Sequence, residues 1–288
     1  MSSILLILLS AVFFALSTVF AKFVSNSSEV SSAQITFVRF FIGFIAASYI
    51  VKKKKRSIIP HKIHLIIYRS IFNTFAVLLF FIGVKDTTIT NANMLNMTYP
   101  VFVVLLAPFI NKEKISKISL LYLFLSVAAI YLISSPDFSY INRGDAWSLL
   151  SAILAAVAVT ALRESRKYDS TSVILFYHMG IGTVIMLCMM PFLWKNCSVL
   201  NWFNIVVSGI LGVAGQYALT IGIKKIDAAS SSIISSSRIL WAIIFGVIFF
   251  SEKLSLNIII GAILLTISLI GISGGITYIK NKIIFRRS

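Results

Sequence analysis

An arginine within a long apolar stretch is the residue of this sequence best suited to chemistry. Arg238 follows the serine-rich run Ser230–Ser237 and precedes an apolar run that ends at Phe250. It lies eleven residues after Asp227, which is about 16 Å along a helix at about 1.5 Å per residue, or half of a hydrocarbon core of about 30 Å. A charge at that depth usually faces a bundle interior or a water-filled cavity.

A guanidinium binds carboxylates through two parallel hydrogen bonds and keeps its charge. Arg238 is therefore predicted to bind an anionic group of a substrate. The alternative is a structural arginine that bonds backbone carbonyls at a helix break.

Polar side chains elsewhere could orient such a substrate by hydrogen bonds. Ser231 and Ser235 lie on the same helical face as Arg238, and Trp241 is adjacent. The polar stretch Asn91–Pro100 ends in a proline, whose missing N–H frees a backbone carbonyl about one turn earlier. The predicted substrate-binding residues are Arg238, Ser235, Ser231, Asn93, Asn96, Tyr99, Gln216 and Trp241, and Pro100 is predicted to form a kink or a gate.

Two other arginines in apolar runs are expected to be structural. Arg39 and Arg69 lie about two turns or less inside their runs, so their aliphatic stems can carry the charges to the membrane surface. His178 is expected to be structural as well. The glycines near Gln216, among them Gly212, predict close helix packing.

No group of residues in the sequence forms a recognisable catalytic or metal site. His61 and His64 stand three apart without a third ligand nearby. The sequence also lacks a phosphate-binding loop, a zinc-protease motif and a nucleophile elbow. We therefore expect no enzymatic activity, no metal and no cofactor.

All nine acidic residues lie in loops or at the ends of apolar runs. A proton-coupled carrier would normally place a carboxylate inside the membrane. Coupling must therefore run through a glutamate at a helix end, such as Glu113 or Glu252, or the protein is a facilitator or an exchanger. The sequence favours the second alternative.

The composition is that of an integral membrane protein. Of the 288 residues, 58% are hydrophobic and 12% are charged, whereas soluble domains are about half apolar and a quarter charged. Ten apolar runs are predicted to be transmembrane helices of an all-α protein. They are Ile4–Val24, Ala33–Val51, His64–Val84, Asn91–Ile110, Ile118–Ile133, Trp147–Leu162, Val173–Trp194, Phe203–Ile223, Ser230–Phe250 and Leu256–Tyr278.

The distribution of basic residues predicts the orientation. With a cytoplasmic N-terminus, 18 lysines and arginines lie in inner segments and five in outer ones. This bias predicts a multi-pass protein of the cell membrane with both termini cytoplasmic. The same clustering between apolar runs explains the net charge of +17 without nucleic acid. The expected partners are the lipid bilayer and a small-molecule substrate, and the protein is expected to be a monomer or a homodimer.

The sequence contains an internal repeat. An offset of 139 residues aligns Glu113–Ser116 with Glu252–Ser255 and Ile82–Lys85 with Ile221–Lys224, and the offset becomes 141 near the start of each half. Because each copy has an odd number of helices, five, the second copy must enter the membrane from the opposite side. Such inverted repeats are typical of secondary transporters, whose site lies where the halves meet. The predicted repeats are residues 1–137 and 145–278, followed by a basic cytoplasmic tail, 279–288.

With these features the chain resembles the EamA-type, ten-helix members of the drug/metabolite transporter superfamily. The segments that carry the resemblance are Ala21–Lys22, Phe37–Phe41, Tyr68–Ser70, Asp86–Pro100, Glu113–Ser116, Glu252–Ser255 and Gly261. The resemblance implies two intertwined five-helix halves around a cavity that is lined chiefly by helices three, four, eight and nine. It also places Arg238 where some carriers similar to those of S-adenosylmethionine or riboflavin have an arginine.

The expected function is therefore secondary transport by alternating access. The substrate is expected to be a small polar metabolite with a carboxylate or another anionic group, for example an amino acid, a compound like S-adenosylmethionine or a vitamin. The alternative is a channel-like facilitator or an exporter of amphipathic compounds.

Overall fold

The computed structural model describes residues 2–27, 30–53, 58–134 and 142–272. Throughout these ranges the regular secondary structure is helical, with twelve α-helices, one short 3₁₀ helix and no strand. The α-helices are α1 (Ser3–Ser27), α2 (Ser32–Lys53), α3 (Ile63–Asp86), α4 (Ile89–Asn96), α5 (Tyr99–Ile110), α6 (Lys117–Ser134), α7 (Arg143–Tyr168), α8 (Thr171–Leu193), α9 (Val199–Gly222), α10 (Ala228–Ser235), α11 (Arg238–Phe250) and α12 (Leu256–Ile272), and the 3₁₀ helix is Ile223–Lys225.

These helices confirm the predicted all-α membrane fold with ten spans. Eight spans are long and apolar enough to cross a membrane, and α6 and α12 are shorter apolar helices. Some helices extend past the apolar runs, as α7 does at both ends, because polar side chains cap the added turns. Asn142, for example, accepts a hydrogen bond from Gly144 N at the start of α7.

Part of the prediction lies outside the described residues. This applies to the end of the tenth run after residue 272, to the basic tail 279–288, and to the lysines and the arginine at positions 54–56. The first predicted repeat ends at residue 137 and the second at residue 278, and both of these ends also lie outside the described ranges. The repeat bounds 1–137 and 145–278 therefore stay a prediction.

The fourth and ninth spans are both interrupted near their middle. The first interruption is at Met97–Thr98, between α4 and α5, and the second is at Ser236–Ser237, between α10 and α11. These positions are equivalent at the offset of 139. The sequence predicted a kink only at Pro100, which lies in the first turn of α5. The ninth span breaks without a proline, in a run where serine hydroxyls compete for helix carbonyls, as Ser232 Oγ does by donating to Ala229 O at 2.7 Å.

The packing of the helices has the two-fold pattern that an inverted repeat requires. Helix α3 packs along α7, and its equivalent in the other half, α9, packs along α1. Helices α2 and α8 are equivalent and pack on each other, as α6 and α12 do. The two broken spans also meet, since α5 contacts α10 and α4 contacts α11. The interrupted spans therefore face each other where the halves meet.

Close helix packing at the α3–α7 contact depends on glycine. A Cβ atom at Gly83 would lie 2.9 Å from the carbonyl oxygen of Gly144, and a Cβ at Gly144 would lie 3.0 Å from that of Gly83. Because these neighbours are backbone atoms, they cannot move aside without separating the helices.

The start of α3 is capped by a side chain from another helix. Lys62, at the N-cap position, makes no side-chain cap hydrogen bond. Instead the buried carboxylate of Asp169, at the C-cap of α7, accepts hydrogen bonds from the backbone N–H groups of His61 at 2.8 Å and Lys62 at 3.3 Å. The α7–α8 turn therefore holds the N-terminus of α3 in place.

Candidate functional site

A cavity of about 90 Å³ lies at the centre of the helix bundle. Its walls come from the first four spans and from the sixth, eighth and ninth, which include all four helices that the family resemblance implied. A volume of this size holds several waters or a small metabolite. The polar side chains of its lining are Ser10, Thr18, Arg39, Arg69, Asn73, Asn96, Tyr99, Gln216, Ser235 and Arg238.

The structure brings most of the predicted site residues to this cavity. Those that line it are Asn96, Tyr99, Gln216, Ser235 and Arg238. Four others are not part of its wall, namely Asn93, Ser231, Trp241 and Pro100.

Two of the side chains that miss the cavity bond or pack within their own helices. Asn93 Nδ2 donates to Ile89 O at 2.9 Å, and Trp241 packs on Phe245 with ring centroids 6.0 Å apart. Ser231 was placed beside Arg238 on the assumption of a continuous helix. The break at Ser236–Ser237 interrupts that helical face, so the spacing of seven residues does not carry across it.

Arg238 is held by a side-chain amide rather than by backbone carbonyls at the helix break. Its Nη2 donates to Asn96 Oδ1, and its guanidinium carbon lies 4.9 Å from the ring centroid of Phe80. Asn96 is oriented in turn, because its Nδ2 donates to Ser151 Oγ at 2.7 Å. Arg238 Nε is buried and has no hydrogen-bond partner. The arginine is thus fixed in orientation but keeps a donor for a ligand.

The expectation that Arg39 and Arg69 extend to the membrane surface is wrong. Their exposed fractions are 7% and 1%, and both side chains line the cavity together with Arg238. Distance from a span end indicates only depth, whereas the neighbouring helices decide whether the side chain can reach water. Here those neighbours enclose both guanidinium groups.

Arg39 is positioned by the first and eighth spans. Its Nη2 lies 3.4 Å from Gly212 O, and its guanidinium carbon is 5.3 Å from the ring centroid of Phe14. A Cβ atom at position 212 would lie 2.8 Å from Arg39 Nε. Gly212 therefore leaves the space that this guanidinium occupies.

Arg69 is positioned by a short polar chain. Its Nη1 donates to Asn73 Oδ1 at 2.7 Å, and Asn73 Nδ2 lies 3.2 Å from His178 Nε2. Because Asn73 Oδ1 accepts from the arginine, the amide nitrogen must face the imidazole. Arg69 Nε is buried without a hydrogen-bond partner, as Arg238 Nε is.

The charge of this cavity is strongly positive. Three arginines line it, and no carboxylate from the described ranges does. Ion pairs within the described chain, such as Arg163–Glu113 and Lys167–Glu164, lie elsewhere, as does the hydrogen bond between His61 and Asp169. The cavity is therefore suited to bind an anion.

The two broken spans are joined at opposite ends of the bundle by equivalent glutamate contacts. At what we term the Glu252 end, the carboxylate after α11 accepts from Ile89 N at 3.0 Å and from Thr90 Oγ1, at the start of α4. At the Glu113 end, the carboxylate after α5 accepts from Ala228 N at 2.9 Å, at the start of α10. Each broken span is thus fastened at its beginning by the glutamate that follows the other.

A basic residue accompanies each of these contacts. Arg163 Nε donates to Glu113 Oε1 at 2.8 Å, and its Nη1 donates to Lys224 O at 2.7 Å. At the Glu252 end the equivalent residue is Lys22, whose Nζ donates to Val84 O and Thr87 O, both at 2.7 Å. The hydrogen bonds from a basic side chain to backbone carbonyls therefore recur at opposite ends of the bundle, and at the Glu113 end the basic residue also pairs with the glutamate.

The model of the EamA-like transporter family matches the chain twice, over residues 1–135 and 142–274. The chain belongs to the EamA-like transporter family. It is accordingly a multi-pass membrane protein of a transporter family, and its similar proteins are transporters rather than enzymes. Within the described part of the chain no group of three or more metal-ligating side chains occurs.

Similar proteins span from 70% to 94% of the EamA-like chain. The pseudopaline exporter CntI of Pseudomonas aeruginosa is 23% identical over 280 residues, which are 94% of this chain and 96% of that protein. Solute carrier family 35 member G1 of Mus musculus is 24% identical over 281 residues, covering 91% of this chain and 76% of that one. An uncharacterized transporter of Helicobacter pylori is 28% identical over 211 residues, 70% of each chain.

A solved crystal structure of another protein has the same fold. It superposes with a TM-score of 0.74, covers 92% of this chain and 94% of its own, and is 16% identical. At that identity the likeness supports the fold of the EamA-like chain and nothing finer.

Proposed function

We propose that this EamA-like protein is a secondary transporter that carries a small, polar, anionic metabolite through the cell membrane by alternating access. The observation that carries the proposal is the buried cavity, which contains Arg238 and no carboxylate from the described ranges. Its volume of about 90 Å³ favours a compact substrate, since drug-sized molecules occupy pockets of about 300–1,000 Å³. This supports a metabolite carrier over an exporter of large amphipathic compounds.

Alternating access is supported by the glutamate contacts at both ends. A carrier must be able to open each end separately while the other stays closed. Glu113 and Glu252 fasten the beginnings of α10 and α4 at opposite ends. Release of one contact would free one broken span without disturbing the other, which is the behaviour of a carrier rather than a channel.

The distribution of charges supports a mode of coupling and an orientation for this proposal. Because the cavity lining includes none of the acidic side chains of the described ranges, we favour exchange or facilitated transport over proton coupling through a membrane carboxylate. The excess of basic residues in alternate loops supports cytoplasmic termini, and with this orientation the Glu252 end would be outside.

The test is transport by purified protein with Arg238 replaced. Arg238→Ala should abolish saturable uptake of the anionic metabolite, and Arg238→Lys should raise KM by about tenfold or more, because lysine cannot form the paired hydrogen bonds of a guanidinium. A thermal-shift screen of amino acids, nucleotide-like cofactors and vitamins supplies the substrate for this assay. Unaltered uptake by both variants would contradict the role of Arg238.

A further inference from the structure

We propose that the cavity binds a metabolite with at least two separate anionic groups, such as carboxylates or phosphates at its two ends. This inference rests on the proposed function and narrows its substrate class. Arg39 and Arg69, as well as Arg238, would then bind the substrate.

Arg238 provides the first anion position. Its Nη2 is engaged by Asn96, while its Nε has no partner although it is buried. An unpaired buried donor of a charged group is costly, about 1–3 kcal/mol or more. An oxyanion of the substrate would satisfy it.

Arg69 provides the second position through a different set of contacts. It belongs to α3, whereas Arg238 belongs to α11. Its Nη1 is held by Asn73, which His178 holds in turn, and its Nε is again buried and unpaired. Both arginines thus have one edge fixed by an asparagine and a donor left over. Two such positions fit two anionic groups rather than one.

Arg39 adds a third charge between these positions. Its guanidinium repels those of both Arg238 and Arg69. Its hydrogen bond to Gly212 O, at 3.4 Å, is long, so this side chain can turn toward a ligand. The negative groups of a bound substrate would therefore offset the repulsion of Arg39 by Arg238 and by Arg69.

The balance of charge favours a polyanion over a monoanion. The three guanidinium groups are at most 9% exposed, and a buried charge without a partner costs several kcal/mol. A monoanion neutralises one of the three positive charges and leaves two. A zwitterion brings a positive charge of its own, so the net charge of the cavity stays at three. A dicarboxylate or a carboxylate–phosphate compound neutralises two or three and still fits a compact cavity.

The test compares ligands that differ in one charge but hardly in size. Succinate and its monoamide, succinamate, form such a pair, and citrate and phosphoenolpyruvate extend the series to three carboxylates and to a carboxylate with a phosphate. Affinity is obtained from the stabilisation of the purified full chain against heat. We expect succinate, citrate or phosphoenolpyruvate to bind at least about tenfold more tightly than succinamate, the effect of one additional charged hydrogen-bond pair.

The arginine variants show whether the cavity causes this preference. Arg69→Gln should reduce the preference for succinate over succinamate to less than about threefold, while binding of succinamate through Arg238 persists. Arg166→Gln is the matched control, because Arg166 is also a buried arginine but lies outside the cavity and donates to Thr220 O and Asp169 O. It should lower stability without changing the preference. If Arg69→Gln fails to purify, Arg39→Gln replaces it with the same expectation.

Three results would overturn the inference. The first is a monoanion or an amino acid that binds as tightly as every polyanion of the series, and the second is a preference that Arg69→Gln and Arg39→Gln leave unchanged. The third is binding of no polyanion at all. Saturable uptake of a monoanion would then still uphold the proposed transport function, so the two ideas fail separately.

Discussion

The glutamate contacts at the ends of the bundle predict opposite effects of two equivalent substitutions. Glu252→Gln removes the negative charge that fastens the start of α4, and Glu113→Gln does the same at α10. Each variant should open its own end of the transporter and leave the other closed. The two substitutions should therefore shift the same equilibrium in opposite directions.

The size of the shift follows from the contacts. Glutamine keeps one acceptor oxygen, so at the Glu252 end the variant loses one of two hydrogen bonds and the charge that strengthens the other. Hydrogen bonds to charged groups contribute about 1.5–3 kcal/mol each. Such a loss favours the open form by roughly 10- to 150-fold. Glu113→Gln also loses the ion pair with Arg163, so its shift should be at least as large.

The assay measures access to the cavity from each side of the membrane. A reporter cysteine is placed in the cavity wall as Ser10→Cys, after the two native residues, Cys188 and Cys197, have been replaced by serine. A membrane-impermeant thiosulfonate is then added to one face of oriented vesicles. Labelling of the Glu252→Gln variant should become at least about tenfold faster from the Glu252 face, and labelling of the Glu113→Gln variant should do so from the other face.

A control separates gating from loss of charge. Glu164 is paired with Lys167 on the same helix, at 2.6 Å, and accepts from Asn111 Nδ2 at 3.3 Å, whereas the backbone N–H at the start of α10 donates to Glu113. Glu164→Gln should therefore leave labelling from both faces unchanged. Faster labelling of both glutamate variants from the same face, or no change in either, would refute the proposal that each glutamate contact controls access from its own end.

Two further predictions concern stability. Gly83→Ala should destabilise the protein by about 1–3 kcal/mol, because the added methyl group meets the backbone carbonyl of Gly144. Gly180→Ala, which meets only the movable ring of Phe44 at 3.1 Å, should destabilise it less in the same thermal unfolding measurement. Equal losses of stability would contradict the packing argument. Asp169→Asn should lower stability by about 1–3 kcal/mol, because the carboxylate that caps α3 loses its charge, and hydrogen exchange should rise first in the opening turn of α3 rather than throughout the bundle.

The sequence was sufficient to predict the helices and the repeat because both depend on local patterns. Apolar runs mark the spans, and the paired turns after Glu113 and Glu252 mark the two halves. The position of Arg238 along the chain also predicts its depth in the membrane. The repeat offset of 139 residues makes Tyr99 its equivalent in the first half, and both residues line the cavity.

The remaining site residues depend on which helices are neighbours, and the sequence does not state this. Arg39 and Arg69 were assigned to the membrane surface by their distance from the span ends. Instead Arg39 packs against α1 and α9, and Arg69 is buried at the same cavity. One signal was present and interpreted otherwise. Gly212 was expected only to allow close packing, whereas the missing side chain makes room for the Arg39 guanidinium.

The positions along the ninth span were predicted only in part for a similar reason. Ser235 and Arg238 lie next to the break and line the cavity, whereas Ser231 lies farther from it and does not. A regular helical periodicity could not anticipate the interruption at Ser236–Ser237, since the sequence has no proline there.

The most direct test of the central claim is entrance counterflow. Liposomes that contain the purified protein are loaded with an excess of an unlabelled polyanion that stabilises it, such as succinate or citrate, and diluted into a trace of the labelled compound. A carrier with an anion-binding cavity predicts a transient accumulation of label above equilibrium, which saturates with substrate and is abolished by Arg238→Ala. Uptake that rises in proportion to concentration without an overshoot, or an overshoot that Arg238→Ala leaves intact, would contradict it.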